Sequence, residues 1–304
     1  MLASTSSEPE VSGPEALYLD LLKKCLTRLL FDRSEPGETN KVPTGFSSAS
    51  VRKRLGPLYI ALVRRAPFKA MLGKALDRIR RTVERRLPVD YGARYEGRDW
   101  PASAETMIGM KRLDNLQYCI GQVLRDGISG DLVETGVWRG GATIFMRGVL
   151  AAYGITDRKV FVADSFRGLP PPDVSKAPAD KGDIHWTFGD LAIPLEEVKR
   201  NFKRYGLLDD QVVFLPGWFS ETLPTAPIKQ LAVMRLDGDM YESTMDALVA
   251  LYDKLSPGGF AIIDDYGAIP ACRTATEDFR TARGITEPLQ QIDWTGVFWR
   301  KRTA

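Results

Sequence analysis

The sequence has few of the residues that cross-link small proteins or bind zinc. Its 304 residues include three cysteines and one histidine. Cys25, Cys119 and Cys272 lie far apart and form no CxxC pair, which argues against a disulfide framework or a zinc site and fits a reducing compartment. A chain of this length can bury about 75% of its unfolded surface, so it needs neither device to fold.

Long apolar runs are also missing. The sequence contains no 18-residue apolar stretch, so no membrane-spanning helix is predicted. Residues 1–15 lack both the basic and the apolar region of a signal peptide, and we therefore expect a cytoplasmic protein. With 44% hydrophobic and 27% charged residues, the composition is that of an ordinary globular protein.

The net formal charge of +3 conceals one strongly basic segment. Residues 51–87 hold twelve Lys or Arg and two acidic residues, so they carry +10 and the rest of the chain carries −7. This distribution is not that of a general polyanion binder, and we expect no nucleic-acid partner. Leu72, Leu76, Ile79 and Val83 recur at helical spacing. Such a basic helix can lie on an anionic membrane or a partner, or it can pack on its own domain with a solvated charged face.

The chain divides at about residue 100. Residues 1–100 are predicted to form an N-terminal helical region with a disordered start, a helix over 17–30 and the basic segment. Residues 101–304 alternate β-rich runs with helical stretches after a first helix over 107–124. The predicted strands are 131–135, 159–163, 211–215, 231–236 and 259–263, and the predicted helices lie near 141–152, 194–204, 242–255 and 271–283.

This order predicts an α/β fold with a doubly wound, mostly parallel, Rossmann-like sheet. A final antiparallel hairpin is predicted from the β-rich runs 292–294 and 297–299, which flank Thr295 and Gly296. A parallel sheet closed by such a hairpin is typical of class I methyltransferases rather than of plain dinucleotide dehydrogenases.

A glycine-rich turn and an acidic residue indicate an adenosine cofactor. The turn ETGVWRGG (134–141) follows the first strand and opens a helix, where glycine lets the backbone approach a ligand. Trp138 stands where a dinucleotide motif has its second glycine, which favours a ligand without phosphates, such as S-adenosylmethionine. Asp164 ends the second strand, where a carboxylate can accept hydrogen bonds from both ribose hydroxyls, or can instead cap a helix or turn.

Four carboxylates follow two further strands. They are Asp237, Asp239, Asp264 and Asp265. The ligand crevice of an open parallel sheet lies beyond the carboxyl ends of its strands, so these groups are predicted to converge there. Clustered carboxylates repel unless a cation neutralises them, and their oxygens suit Mg²⁺, Ca²⁺ or Mn²⁺. The alternative is that two of the four are caps or partners of Arg235 or Arg273.

The single histidine, His185, lies between Asp183 and Trp186 in a polar loop-like stretch. It could serve as a base. No supporting motif surrounds it, and we assign it no catalytic role from the sequence.

Five stretches closely resemble the macrocin O-methyltransferase (TylF-like) family. They are ETGVWRGG (134–141), ADSFRGLPPPD (163–173), PGWFSETLP (216–224), RLDGDMYEST (235–244) and IIDDYG (262–267). The similarity runs from about Met107 to Arg300, and a further similar stretch lies in the helix predicted over 17–30. Members of this family use S-adenosylmethionine and Mg²⁺ to methylate sugar hydroxyls on macrolides and aminocoumarins. The resemblance therefore implies a methyltransferase domain over 101–304.

The resemblance also implies a role for individual residues. It places Mg²⁺ on Asp237, Asp264 and Asp265, and makes Asp239 the general base. For S-adenosylmethionine it implies the residues Ala104, Glu105, Thr106, Glu134, Thr135, Gly136, Asp164, Ser165, Phe166, Gly217, Trp218 and Ser220. Residues 35–95 look longer than the family's usual N-terminal region, which helps to form the lid and the acceptor pocket.

The expected acceptor is a glycosylated natural product or a glycolipid, and we expect a homo-oligomer. Two alternatives stay open. One is an O-methyltransferase that acts on a non-sugar diol such as a catechol. The other is a non-catalytic protein that binds S-adenosylmethionine.

Overall fold

The computed structural model describes residues 13–31, 90–99, 101 and 103–302. The predictions for residues 1–12 and for the basic segment 51–87 lie outside these residues. The first helix, α1 (Pro14–Leu26), has proline in its first turn, where a missing backbone N–H does no harm. It ends before Arg28, which adopts a left-handed φ of 63°. The helix is therefore shorter than the predicted 17–30, and a 3-10 turn over Leu29–Phe31 follows it.

The other helices and the strands of the described residues follow in chain order. The helices are α2 (Tyr91–Tyr95), α3 (Met110–Arg125), α4 (Gly141–Ala152), α5 (Leu195–Arg204), α6 (Phe219–Thr222), α7 (Tyr241–Leu251) and α8 (Pro270–Ala282). The strands are β1 (Asp131–Thr135), β2 (Val160–Asp164), β3 (Val212–Pro216), β4 (Leu231–Leu236), β5 (Leu255–Ile263), β6 (Gln290–Gln291) and β7 (Val297–Arg300). The strands β1 and β4 and the helix α4 have the predicted bounds, and β2 and β3 each begin one residue later than predicted.

The strands form one seven-stranded sheet in the order β3-β2-β1-β4-β5-β7-β6. The pairs among β1 to β5 are parallel, whereas β7 pairs antiparallel with both β5 and β6. The predicted fold class is thus confirmed: a doubly wound, mostly parallel sheet with an antiparallel end. Since the strand order reverses beside β1, the crevice that such sheets use for ligands is expected there.

Both faces of the sheet are covered by helices. Alternate residues of each strand point to opposite faces, so Leu132 and Val160 pack with α1, α3, α4 and α5 on one side. Val133 and Phe161 pack with α7 and α8 on the other side. This is why the strands read as nearly continuous apolar runs. None of the helices in the described part of the chain has the length and apolar character needed to cross a bilayer.

The terminal hairpin has a longer turn than predicted. Gln290 pairs with Phe298 and Gln291 with Val297, so the stretch 292–294, predicted as a strand, lies in the turn. The cause is Asp293, whose carboxylate accepts the backbone N–H groups of Thr295 and Gly296 at 2.9 and 2.8 Å. Such local hydrogen bonds compete with a strand ladder.

Candidate active site

A cavity of about 640 Å³ opens at the carboxyl ends of the parallel strands. Residues at or just beyond the ends of all five parallel strands line it, among them Glu134 in β1, Gly136 just after it, Asp164 at the end of β2, Trp218 after β3, Asp237 after β4 and Asp264 after β5. A mostly parallel sheet therefore brings side chains that are far apart in the sequence to one site.

The glycine-rich turn passes close to the end of β4. Gly136 has a φ of 82°, and a Cβ added to it would lie 1.8 Å from the carbonyl oxygen of Asp237. Only glycine fits this close approach. Trp138 also has a positive φ, of 48°, and its indole N–H donates to the carbonyl of Asp190 at 2.7 Å. The tryptophan that replaces a motif glycine thus helps to hold the opposite wall of the cavity.

Asp164 lies where the sequence predicts a ribose ligand, but its carboxylate also organises the turn. Its two oxygens accept the backbone N–H groups of Val137 at 2.8 Å and Phe166 at 2.7 Å. Burial raises the pKa of this carboxyl, and the backbone N–H groups of Phe166, Val137 and Trp138 oppose that rise. Asp164 lines the cavity, and its oxygen Oδ1 also accepts the hydroxyl of Ser165 at 3.5 Å.

The structure brings most of the residues predicted to bind the cofactor to the cavity. Those that line it are Thr106, Glu134, Gly136, Asp164, Ser165, Trp218 and Ser220. The remaining ones, Ala104, Glu105, Thr135, Phe166 and Gly217, lie within two residues of a lining residue without lining the cavity themselves.

The side chain of Glu105 has partners outside the cavity. It is 2% exposed, and its oxygens bind Arg28 at 2.7 Å and the hydroxyl of Tyr205 at 3.0 Å. Its carbonyl accepts the N–H of Gly141, the first residue of α4, at 2.9 Å. Glu105 therefore fixes the segment that crosses the glycine-rich turn, and it links that segment to the end of α1.

Three of the four predicted carboxylates form a compact cluster. Asp237, Asp264 and Asp265 each offer one oxygen, and these oxygens all lie within 4.8 Å of one another. Burial raises the pKa values of Asp237 and Asp265, and the neighbouring carboxylates add to that rise. Groups held in this way gain from a nearby cation, and hard carboxylate oxygens are the ligands that Mg²⁺ prefers.

Arg235 compensates part of this negative charge. It is 2% exposed, pairs with Asp237 at 2.9 Å, and also pairs with Asp264 and Glu134. Two of the four acids, Asp237 and Asp264, are thus salt-bridge partners of Arg235, in part as the alternative expects. Arg273, the other arginine considered, instead donates to the carbonyl of Tyr266 at 3.1 Å.

Arg112 of α3 is the site residue that the sequence analysis missed. It pairs with the second oxygen of Asp264 and, at 2.9 Å, with Asp293. A signal was present: Arg112 shares a helix face with Leu116 and Ile120, which are both buried. A charged residue in line with a buried apolar stripe indicates a buried partner of opposite charge.

Asp239 lies in the same cavity with His185. Burial raises the pKa of Asp239 to about 7, and the charge of His185 opposes this. The ring Nδ1 of His185 lies 2.6 Å from Asp183. Although burial lowers the pKa of His185, the hydrogen bond to Asp183 and the charge of Asp239 outweigh it, and the net direction is upward. The structure therefore places the histidine beside the predicted base, which the sequence alone did not indicate.

Comparisons with known proteins point to one family. The family profile described as macrocin-O-methyltransferase (TylF) matches residues 15–301. A 4'-O-methyltransferase of Streptomyces olivaceus that acts on 8-demethyl-8-(2,3-dimethoxy-alpha-L-rhamnosyl)-tetracenomycin C is 61% identical over 216 residues, which is 71% of this chain and 82% of the relative. The mycinamicin III 3''-O-methyltransferase of Micromonospora griseorubida is 57% identical over 212 residues, 69% of this chain and 83% of the relative.

A solved structure agrees with these relatives. The O-methyltransferase NovP is 41% identical and superposes with a TM-score of 0.76, over 95% of this chain and 100% of NovP. The likeness therefore extends beyond the sheet to most of the chain.

Proposed function

The chain belongs to the macrocin O-methyltransferase family and is an O-methyltransferase, and from that premise we propose that it transfers a methyl group from S-adenosylmethionine to a sugar hydroxyl of a glycosylated natural product, with Mg²⁺ as the metal. Relatives that are more than half identical act on the sugar of a tetracenomycin and on mycinamicin III. Their names support a sugar hydroxyl as the acceptor group here.

One observation carries the metal-dependent part of the proposal. The oxygens of Asp237, Asp264 and Asp265 lie within 4.8 Å of one another, in the same cavity as Asp239. Three carboxylates at that spacing form a hard, negatively charged donor set that fits Mg²⁺. Asp239, two residues after Asp237, would act on the acceptor hydroxyl bound there.

The neighbouring part of the cavity fits the cofactor. Gly136 allows the backbone to approach a ligand, and Asp164 stands at the end of β2, where a ribose is bound in such folds. The oxygen Oε2 of Glu134 is buried without a hydrogen-bond partner among the described residues. A buried oxygen in this state is available to the ammonium group of S-adenosylmethionine.

The chemistry then divides among a few residues. When bound, Mg²⁺ would orient the acceptor's vicinal hydroxyls and lower the pKa of the attacking one, while S-adenosylmethionine would supply the methyl group. Asp239 takes the proton of the attacking hydroxyl. Arg235 and Arg112 hold Asp237 and Asp264 in place, which fixes the alignment on which proximity effects depend.

The test is a methyl-transfer assay with S-adenosylmethionine and a panel of glycosylated acceptors, run with Mg²⁺ and with EDTA. We expect turnover with Mg²⁺, its loss with EDTA and its recovery when Mg²⁺ is restored. Calorimetric titration with S-adenosylhomocysteine should show binding under both conditions, because the cofactor part of the cavity does not include the three metal carboxylates.

Three other results would redirect the assignment. Turnover that EDTA leaves unchanged would separate the four aspartates from catalysis. Turnover with catechols and none with glycosides would favour the non-sugar diol. Absence of S-adenosylhomocysteine binding would favour a protein that has kept the fold without the activity.

The pH dependence of kcat/KM provides a second prediction. A general base must be ionised to accept a proton, so activity should rise with pH through the pKa of Asp239. Burial places that pKa at about 7, and any cation on the neighbouring carboxylates favours the ionised form. We therefore expect an inflection at or below about 7 in a pH profile measured with saturating Mg²⁺.

The variant His185→Gln tests the cause of this inflection. The positive charge of His185 lowers the pKa of Asp239, so its removal should move the inflection to higher pH and leave the plateau rate within a few fold. An unchanged inflection would show that His185 does not act on the base. Complete loss of activity at every pH would instead make His185 the base.

A further inference from the structure

A buried aspartate outside the cavity joins one wall of the site to the helix that begins two residues after the proposed base. Asp180 is 1% exposed and does not line the cavity. Its two oxygens accept the backbone N–H groups of Tyr241 at 2.7 Å and Glu242 at 3.0 Å. These are the first two residues of α7, which begins two residues after Asp239.

Elementary helix chemistry explains why a carboxylate is stable there. The first N–H groups of a helix have no partner within the helix, and the helix dipole favours negative charge at that end. The residue before α7 is Met240, which supplies no side-chain cap. Asp180, which precedes Tyr241 by 61 residues in the sequence, caps the helix instead. Among the described residues no Lys or Arg pairs with it, so the helix end is the compensation for its buried charge.

The stretch that contains Asp180 forms one wall of the cavity and includes His185, whose charge acts on Asp239. Between β2 and α5 the lining residues include Asp173, Lys176, His185, Phe188 and Asp190. Asp180 lies in the middle of them. Its carbonyl accepts the N–H of Asp183 at 3.0 Å, and Asp183 in turn holds the ring of His185 at 2.6 Å.

A second, weaker contact connects the same two parts. Lys176 lies 3.7 Å from Glu242, but its side chain is 70% exposed. An exposed pair of this kind contributes little. The two buried hydrogen bonds of Asp180 are therefore the stronger of these two links between the wall and α7.

We infer that Asp180 is a positioning residue: it ties the acceptor-facing wall to the start of α7 and thereby sets how the acceptor is aligned with Asp239. The inference rests on the proposed function, because it assigns this wall to the acceptor. The backbone of Asp239 has a left-handed φ of 58°. The hydrogen bonds of Asp180 to Tyr241 and Glu242 fix the chain two and three residues after this position.

The test compares Asp180→Asn with Asp180→Ala. Asparagine keeps the shape and one accepting oxygen, whereas alanine removes both acceptors. For Asp180→Ala we expect the KM for the acceptor to rise about tenfold and kcat to fall, with an intermediate effect for Asp180→Asn. The Kd for S-adenosylhomocysteine should change by less than about twofold, since the residue lies away from the cofactor part of the cavity.

Hydrogen exchange supplies a readout that does not depend on turnover. The amides of Tyr241 and Glu242 and the peptides covering 173–190 should exchange faster in both variants, while those of β1 and β4 stay protected. Asp209→Asn is the matched control: Asp209 also accepts a backbone N–H, from Gln211 at 3.0 Å, and pairs with Arg147, but it does not line the cavity. It should lower thermal stability without changing the KM for the acceptor.

Two results would overturn the inference. One is an acceptor KM in Asp180→Asn and Asp180→Ala that matches the wild type. The other is a rise in KM of the same size in Asp209→Asn, which would show that the rise comes from general destabilisation. If the wild type methylates no glycoside, the proposed function fails. Hydrogen exchange is then the remaining test of Asp180, and unchanged protection over 173–190 in the two variants would overturn its role.

Discussion

Replacement of Asp239 by asparagine is expected to lower kcat about a thousandfold, within the range of general-base contributions. Asparagine keeps the size of the side chain and tolerates the left-handed φ of 58° found at this position. The backbone N–H of Asp239, which donates to Asp265 at 3.3 Å, is also retained. The substitution therefore removes the proposed proton acceptor and little else.

Binding measurements separate this role from a structural one. The Kd of Asp239→Asn for S-adenosylhomocysteine should stay within about twofold of the wild type, and so should its affinity for Mn²⁺ as a probe of the metal site. Asp253→Asn is the control, because Asp253 is exposed and pairs with Arg283 away from the cavity. If Asp239→Asn loses cofactor binding as strongly as turnover, Asp239 is a structural residue. If it loses Mn²⁺ binding, it is a metal ligand.

Replacement of Arg235 by methionine is expected to lower the free energy of unfolding by about 3–5 kcal/mol, the range found when one partner of a buried ion pair is removed. Methionine approximates the length of the side chain but leaves Glu134, Asp237 and Asp264 without the guanidinium that they share. Urea denaturation in the presence of EDTA measures the loss without interference from bound metal. Arg235→Lys keeps the charge but not the planar fork, and should lose less.

A surface pair of the same type serves as the control. Arg283 binds Asp253 through two hydrogen bonds of 3.0 and 3.1 Å, and both side chains are exposed. Arg283→Met should therefore lower the free energy of unfolding by no more than about 1 kcal/mol. Equal losses in the two variants would contradict the idea that Arg235 holds the buried carboxylates together.

The loss of unfolding free energy caused by Arg235→Met should depend on pH in one direction. Burial raises the pKa of Glu134 from 4.5 to about 8 even with Arg235 in place. A carboxyl whose pKa is raised on folding stabilises the fold at low pH, and this contribution disappears as the pH rises through the folded pKa. The loss of unfolding free energy in Arg235→Met should therefore become smaller as the pH is lowered from 8 towards 5.

Much of the fold and the acidic cluster was predictable because the signals are local or follow from topology. The run 231–236, apolar apart from Arg235, is buried on both faces, so it stands out in the sequence with the right bounds. Once the strands are parallel, acids that follow β4 and β5 must meet at one edge. That rule placed Asp237 and Asp264 together without any contact being known.

The contacts that complete the site were not predictable in the same way. Arg112 is 152 residues from Asp264, and Arg235 is 101 residues from Glu134, so these pairs depend on the final register of α3 and the sheet. In the sequence Asp180 looks like an ordinary loop aspartate, and only the structure shows that it binds the first N–H of α7. The hairpin turn was misjudged because the carboxylate of Asp293 competes for backbone N–H groups that a strand would use.

The paired arginines also bear on the order in which the protein is assembled. Both oxygens of Asp264 are already bound by Arg112 and Arg235, and one oxygen of Asp237 is bound by Arg235. Since these two guanidinium groups already hold two of the three clustered carboxylates, folding does not depend on an ion as a template, in contrast to small zinc domains. The newly made chain can therefore reach its native form before the proposed Mg²⁺ binds, and loss of that ion should not unfold it.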